Sequence, residues 1–418
     1  MKLAVVGAGS TYTPELLRGL GELGEAIGLS EVTLEDVDAV RLEVVGGASE
    51  RVAAAHGFTG HIERTTDLER AVDGADFVVI QIRVGGQAAR HLDETLPLAF
   101  GRLGQETTGA GGLAKALRTV PVVLEIAERV RRGAAPGAWI IDFTNPVGIV
   151  TRALLDAGHR ALGLCNVAVG FQRQMAGWLG VTAAEVELGH AGLNHLTWIR
   201  SVGVGGVERI EELLESHGDD LAERVGLPRR LLERLHAIPS PHLRYYYRHD
   251  AVVAELHGRP SRAEAVAAIK GRLLDLYRDP DLAELPPLLS QRGGAHYSEA
   301  ALELIAALAG GGGRQVVDVR NGGAIRGLPD DAVVEVPALI GRDGAQPLSV
   351  PALPPHMAGL VAHVEAYERL AAGAARSGDR DLAVAALLTH PLVGQIEVVE
   401  RLAAAIQAHQ AAPALASP

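Results

Sequence analysis

The chain opens on an apolar run that stops at a glycine-rich turn: Met1 to Gly7, then Ala8-Gly9-Ser10, then a helix from Pro14 to about Ile27. Proline suits a first helical turn, where its missing N–H leaves no hydrogen bond unmade. Glu31 to Leu34 reads as a second strand, followed by Glu35-Asp36. A strand, a tight glycine turn, a helix and a strand permit few folds, because the right-handed crossover makes the two strands parallel. Gly7 suits the tight turn, and Gly9 lets backbone amides approach a pyrophosphate at the helix N-terminus. The third glycine of that pattern is replaced by Tyr12. Asp36, about 30 residues after Gly7, is placed to accept ribose hydroxyls and to repel a 2′-phosphate. No arginine immediately follows Asp36, which favours NAD over NADP, although Arg41 tempers that preference.

The alternation continues. Asp76 to Ile82, Ala138 to Phe143 and Arg160 to Leu164 read as buried strands. Arg41 to about His56, Gly112 to about Arg132 and Val147 to about Ala157 read as helices. The pattern predicts an α/β fold, a Rossmann-like doubly wound parallel sheet over residues 1–170. Residues 171–407 read as a mixed α+β, mainly helical second domain, on the lactate/malate dehydrogenase-like plan. It starts with an extended stretch, Val186 to Val202, broken by Gly192 and Asn194. Residues 207–310 are mainly helical, Ala332 to Leu339 is a strand, and Ala358 to about Gln407 is helical. The Ala/Pro-rich tail, 408–418, is expected to be flexible.

A hydrophobic content of 48% supports a large core, and a net charge of −12 argues against nucleic acid or an anionic membrane as partner. No apolar run approaches the roughly 20 residues needed to span a bilayer. No signal-peptide core is present, so the expected location is the cytoplasm.

Three strand ends carry unusual polar residues, at the sheet edge where ligands bind in such folds. Arg83-Val84-Gly85-Gly86 follows the third strand, with Arg90 further on; Arg83 is expected to serve the cofactor. Asn145-Pro146 follows the next strand, and Cys165-Asn166 the one after. Beyond lies Gly192-Leu193-Asn194-His195. Cys165 is the only cysteine. A lone cysteine is commonly just a small buried residue. A thiolate and an imidazole such as His195 are also good ligands for a divalent transition metal, and two protein ligands leave positions open for substrate.

These stretches together resemble glycoside hydrolase family 4, the NAD- and metal-dependent glycosidases, and most of all its 6-phospho-β-glucosidase branch. The resemblance rests on GAGSTYTPEL at Gly7 to Leu16, on Arg83 to Gly109 ending in GQETTG, and on KALRTV at Lys115 to Val120. TNPV at Thr144 to Val147, Cys165-Asn166, GLNHL at Gly192 to Leu196, Arg292 to Ala300 and Leu328 to Pro337 complete it in the family's order. It implies that Cys165 and His195 hold the metal, usually manganese. It puts Asn145, Asn194 and Glu106 beside the sugar, and Arg90 and Arg262 on its 6-phosphate, for which forked donors are suited. Ser10 and Thr11, within the signature, are expected to face phosphate.

The implied chemistry departs from paired carboxylates. NAD takes hydride from C3, a base removes the acidified C2 proton, the C1 substituent is eliminated, water adds, and hydride returns. The family's base is a tyrosine, but the matching position in Pro239 to Tyr246 holds His242. Histidine is a competent base, and Tyr245, Tyr246 or Tyr247 lies close in sequence. Asn166 stands where the α-specific branch has an acidic residue, which points to the β branch. The implied partner is a phosphorylated glycoside, and the implied assembly is a homodimer or homotetramer. Rival readings are a family member acting on an unphosphorylated glycoside or a uronide, a 2-hydroxy-acid dehydrogenase, and a non-catalytic NAD-dependent sensor.

Overall fold

A computed structural model describes residues 1–24, 27–292 and 297–410. The Rossmann-like part runs β1 (Lys2–Val6), α1 (Thr13–Leu23), β2 (Glu31–Glu35), α2 (Ala39–Ala55), β3 (His61–Thr65), α3 (Leu68–Val72), β4 (Phe77–Ile80), α4 (Gly86–Thr95), α5 (Gly109–Gly133), β5 (Trp139–Asp142), α6 (Val147–Asp156), β6 (Ala161–Gly163) and α7 (Asn166–Leu179). Its strands lie parallel in the order β6-β5-β4-β1-β2-β3. Their side chains are buried on both faces along β1 and β4, as the unbroken apolar runs require.

A hairpin follows, β7 (Val186–Leu193) and β8 (Leu196–Val204), with β9 (Val207–Glu208) returning on it. Next come α8 (Ile210–Val225), α9 (Arg229–Leu235), β10 (Ile238–Pro239), α10 (Arg244–Tyr247), α11 (His249–Leu256), α12 (Arg262–Tyr277) and α13 (Tyr297–Ala306). Strands β11 (Gly313–Arg320), β12 (Val333–Gly341) and β13 (Gly344–Pro347) precede α14 (Pro355–Ser377), α15 (Arg380–Thr389) and α16 (Ile396–Gln410).

Three features differ from the sequence reading. First, β11, β12 and β13 join the sheet of the first domain antiparallel, through β6, and make it nine-stranded, so the sheet crosses residue 170. Second, β3 and β11 emerge where no strand pattern predicts them. HIERT is a polar edge strand with a single aliphatic residue, and the apolar run of β11 is split by the buried Asp318. Third, the long C-terminal helical stretch is three helices. Gly378 closes α14 in the left-handed conformation, and Asp379 caps α15 by accepting from the amides of Asp381 and Leu382. Of the expected tail, residues 408–410 complete α16, with Gln410 Nε2 donating to the Ala114 carbonyl at 2.7 Å. Residues 411–418 lie outside the described residues, as do 293–296 within the Arg292 to Ala300 stretch.

Candidate active site

The glycine turn is built by backbone. The amides of Gly7 and Ala8 both donate to the Glu35 carbonyl, at 2.9 and 2.7 Å, which fixes the exit of β1 against the end of β2. Gly7 has φ +86°, and a Cβ there would come within 3.0 Å of the Gln81 carbonyl oxygen, so the position demands glycine. The Gly9 amide donates to Asp36 Oδ2 at 2.8 Å, and the Asp38 amide donates to Oδ1 at 3.0 Å. A Cβ at Gly9 would stand 2.7 Å from Asp36 Oδ2. Glycine and carboxylate are thus fitted to one another, and internal hydrogen bonds fix the shape of the turn at the start of α1. Ser10 is half-buried, but Thr11 has no exposed surface and its hydroxyl is turned inward. Only Ser10 of that pair opens on the turn.

Beside the turn, cations surround one buried carboxylate. Glu106 is 6% exposed and pairs with Arg83, with Arg90 Nε at 3.1 Å and with Lys115 Nζ at 2.5 Å. Burial alone would raise its carboxyl; Arg83, Lys115 and Arg90 outweigh burial and hold it well below the ordinary carboxylate range. Arg83, expected at the cofactor, pairs with Glu106. Burial, with Arg83 beside it, pushes Lys115 down to about 8. Lys115 was not singled out from the sequence, although a lysine in the otherwise apolar GAGGLAKAL was a signal. Arg90 Nε also donates to Glu94 Oε1 at 2.7 Å, and Glu94 Oε2 accepts from the Ala263 amide at 2.8 Å. That bridge brings the start of α12, and with it Arg262, to α4. The Arg262 guanidinium itself donates to the carbonyls of Gln291 and Arg292, at 3.2 and 3.0 Å.

The two expected metal ligands meet across Asn194. Cys165 caps α7 at the end of β6 and is 3% exposed. The Asn194 side chain hydrogen-bonds to it and also donates to Glu335 Oε2 at 2.8 Å, while Glu335 Oε1 lies 2.7 Å from His190 Nε2. His195 is the second residue of the tight turn between β7 and β8, at φ +66°. Its Nδ1 lies 3.0 Å from Thr107 Oγ1, which ties GLNHL to GQETTG and leaves Nε2 for a ligand. Neither Thr107 nor Glu335 was identified from the sequence, since each acts through a residue far away in the chain.

Burial, reinforced by Glu335, pushes the Cys165 thiol well above its ordinary value, and burial with His242 alongside keeps His195 well below its own. A bound cation would reverse the first effect by stabilising the thiolate, and the second already supplies a neutral imidazole. A soft sulfur and a neutral ring nitrogen on adjoining segments fit a divalent transition ion. Among the described residues no group of three or more histidine, cysteine or carboxylate side chains is placed to hold a metal, so the pair stands without a third such ligand.

The remaining residues line the same edge. Asn166 follows Cys165 as the first residue of α7, and Asn145 follows β5 with Oδ1 buried and unpartnered among the described residues. His242, in the short turn Pro241–Leu243, stacks on His195 with ring centroids 3.7 Å apart and 9° between planes. Tyr245 meets His242 edge-on at 6.0 Å. Burial, then Arg244, pushes His242 down to about 4, so its ring is neutral at ordinary pH.

Residues 2–181 match the family described as "Family 4 glycosyl hydrolase", and residues 190–393 match "Family 4 glycosyl hydrolase C-terminal domain". The "Probable 6-phospho-beta-glucosidase" of Bacillus subtilis (strain 168) is 38% identical over 98% of this chain and 97% of its own length. The "6-phospho-beta-glucosidase" of Escherichia coli (strain K12) is 35% identical over 96% of this chain and 94% of its own. A solved structure of the 6-phospho-beta glucosidase from Thermotoga maritima, with manganese, NAD+ and glucose-6-phosphate, superposes with a TM-score of 0.93 at 34% identity, covering 98% of each chain. Malate dehydrogenase from Cryptosporidium parvum, at 16% identity and a TM-score of 0.55, shares the fold over 90% of this chain and 99% of its own. Matched from end to end in both halves, the chain belongs to family 4 of the glycosyl hydrolases.

Proposed function

We propose that this chain hydrolyses 6-phospho-β-glucosides with NAD and a divalent metal, most suitably Mn2+. The observation that carries the reading is one line of contacts. It runs from His195 through Thr107 into the GQETTG segment, from Glu106 to Arg90, and through Glu94 to the start of α12. It joins a metal-type pair to phosphate-type arginines beside the glycine turn.

Bound NAD supplies the hydride acceptor for C3, and the metal supplies positive charge to the sugar oxygens. The chain's own residues do the rest. The glycine turn, shaped by Gly7 and Gly9, lets the dinucleotide approach the start of α1, and Asp36 accepts from its ribose. Glu106 holds Arg90 in place, and Arg90 with Arg262 takes the 6-phosphate. Asn145 and Asn194 hold sugar hydroxyls. Neutral His242 takes the C2 proton, with Tyr245 as the nearer aromatic alternative. Asn166 has no acidic proton to give, so the leaving group departs without a carboxylic acid at that position. Both ligands are multiply charged and cross hydrocarbon poorly, so the enzyme works where both are held, in the cytoplasm.

The test uses 4-nitrophenyl 6-phospho-β-glucoside with NAD+, Mn2+ and a thiol reductant. The expected result is nitrophenol release that requires both cofactors and accumulates no NADH. Turnover of the unphosphorylated glycoside alone would refute the phosphate assignment, and net NADH production would refute hydrolysis.

A further inference from the structure

Helix α12 is fastened at both ends of one face. Near its start, the Ala263 amide is bound by Glu94 of α4, and at its end the Tyr277 hydroxyl donates to the Thr11 carbonyl at 2.7 Å, in the glycine turn. Positions seven apart on an α-helix fall within about 20° of one line. Lys270 lies midway between Ala263 and Tyr277, seven residues from each, and so on the same face. That face meets α4 at one end and the glycine turn at the other. Ala263 and Tyr277 are buried, whereas Lys270 is half-buried.

Lys270 has no carboxylate partner among the described residues. Its foremost charged neighbours are Arg41 and Arg292, then Arg83 and Arg90, and burial together with these cations pushes the ammonium down to about 6. Two of them belong to the dinucleotide side. Arg41 packs its Cδ 3.4 Å from where a Gly9 Cβ would stand, and Arg292 lies over the Tyr12 ring at 4.2 Å. On the sugar side the cations do have carboxylate partners: Arg83, Arg90 and Lys115 share Glu106, Arg90 also meets Glu94, and Arg118 pairs with Asp93 at 2.6 Å. Lys270, Arg41 and Arg292 are thus cations near the glycine turn that have no carboxylate partner among the described residues. An unpaired, half-buried ammonium among cations costs stability unless an anion joins it.

We propose that Lys270, supported by Arg292, binds the pyrophosphate of the dinucleotide, adding a side-chain phosphate contact facing the Gly7 to Ser10 turn. The assignment rests on the proposed function and adds side chains to a site otherwise made of backbone.

Calorimetric titration of the metal-free, full-length protein tests it. Lys270→Met is expected to weaken NAD and ADP-ribose by about ten- to a hundredfold, the worth of a charge-assisted hydrogen bond. Adenosine and glucose 6-phosphate should bind as before. Lys270→Arg should keep NAD within about threefold of wild type, and Lys270→Met should melt no lower than wild type, since it removes a half-buried amine that has no carboxylate partner among the described residues. Unchanged NAD affinity in a folded Lys270→Met protein would overturn the assignment. Loss of glucose 6-phosphate affinity alone would also overturn it, by moving the ammonium to the sugar phosphate. A wild-type protein that binds no NAD would overturn the proposed function itself.

Discussion

The glycine turn and the thiol–imidazole pocket lie at one sheet edge but are made in opposite ways. The turn uses backbone from a single stretch of about 30 residues: amides of Gly7, Ala8 and Gly9, anchored on Glu35 and Asp36. The pocket uses side chains from across the chain: Cys165 after β6, His195 between β7 and β8, Thr107 before α5, and Glu335 on β12. Backbone geometry is set by local sequence, so the turn tolerates distant change. The pocket depends on every segment that packs beneath it.

Cys165→Ala breaks the comparison hardest. It is expected to cut metal-dependent turnover by on the order of a thousandfold, with NAD affinity unaltered by calorimetry; a parallel fall in NAD affinity would show the two sites to be one unit. Glu106→Gln should come next. It leaves Arg83, Arg90 and Lys115 without their shared anion, so urea denaturation should show a loss of about 3 kcal/mol, the scale for breaking a buried pair. A loss below about 1 kcal/mol would mean that water or solute anions replace the carboxylate. Gly9→Ala forces the new methyl against Asp36, and roughly tenfold weaker NAD binding is expected, with Mn2+ affinity intact; unchanged NAD affinity would show that the carboxylate moves aside freely.

The smallest effect is on pH. His390 Nε2 accepts from the amide of Gly109, the last residue of GQETTG, at 3.1 Å, and burial, with His363 nearby, pushes the ring down to about 3. Its unfolded-state value is near 6.5. A folded value below the unfolded one gives stability that is fully present above about 6.5 and drains as pH falls toward 3. The slope from this group is at most about 1.4 kcal/mol per pH unit. Thermal melts of His390→Gln should show a shallower acid slope than wild type; an equal slope would assign the acid lability to other groups.

The turn was legible because its signals are adjacent. Gly7, Gly9 and Asp36 were read from spacing alone; the structure bonds the Gly9 amide to Asp36 and the Gly7 amide to the neighbouring Glu35 carbonyl. Cys165, His195, Arg83 and Arg90 were picked out from strand ends and residue chemistry, but only the family resemblance gave them roles at one site, for nothing in their spacing says that Asn194 and Thr107 join them. Lys115, Thr107 and Glu335 escaped notice because their roles are defined by a partner 9, 88 and 141 residues away. Strand β11 escaped because Asp318, buried with both oxygens unpartnered among the described residues, looks in sequence like a surface break.

The addition of β11, β12 and β13 to the edge of the parallel sheet also orders events during synthesis. Until the ribosome has made residues 313–347, strand β6 presents an open edge, and the half that carries the dinucleotide turn lacks its lateral cover. Open edges recruit other strands, and domains fold as the chain emerges. A chain stopped near residue 310 should thus self-associate during translation, whereas one reaching residue 350 should stay monodisperse; equal sedimentation of the two nascent products would show that the edge is shielded by other means.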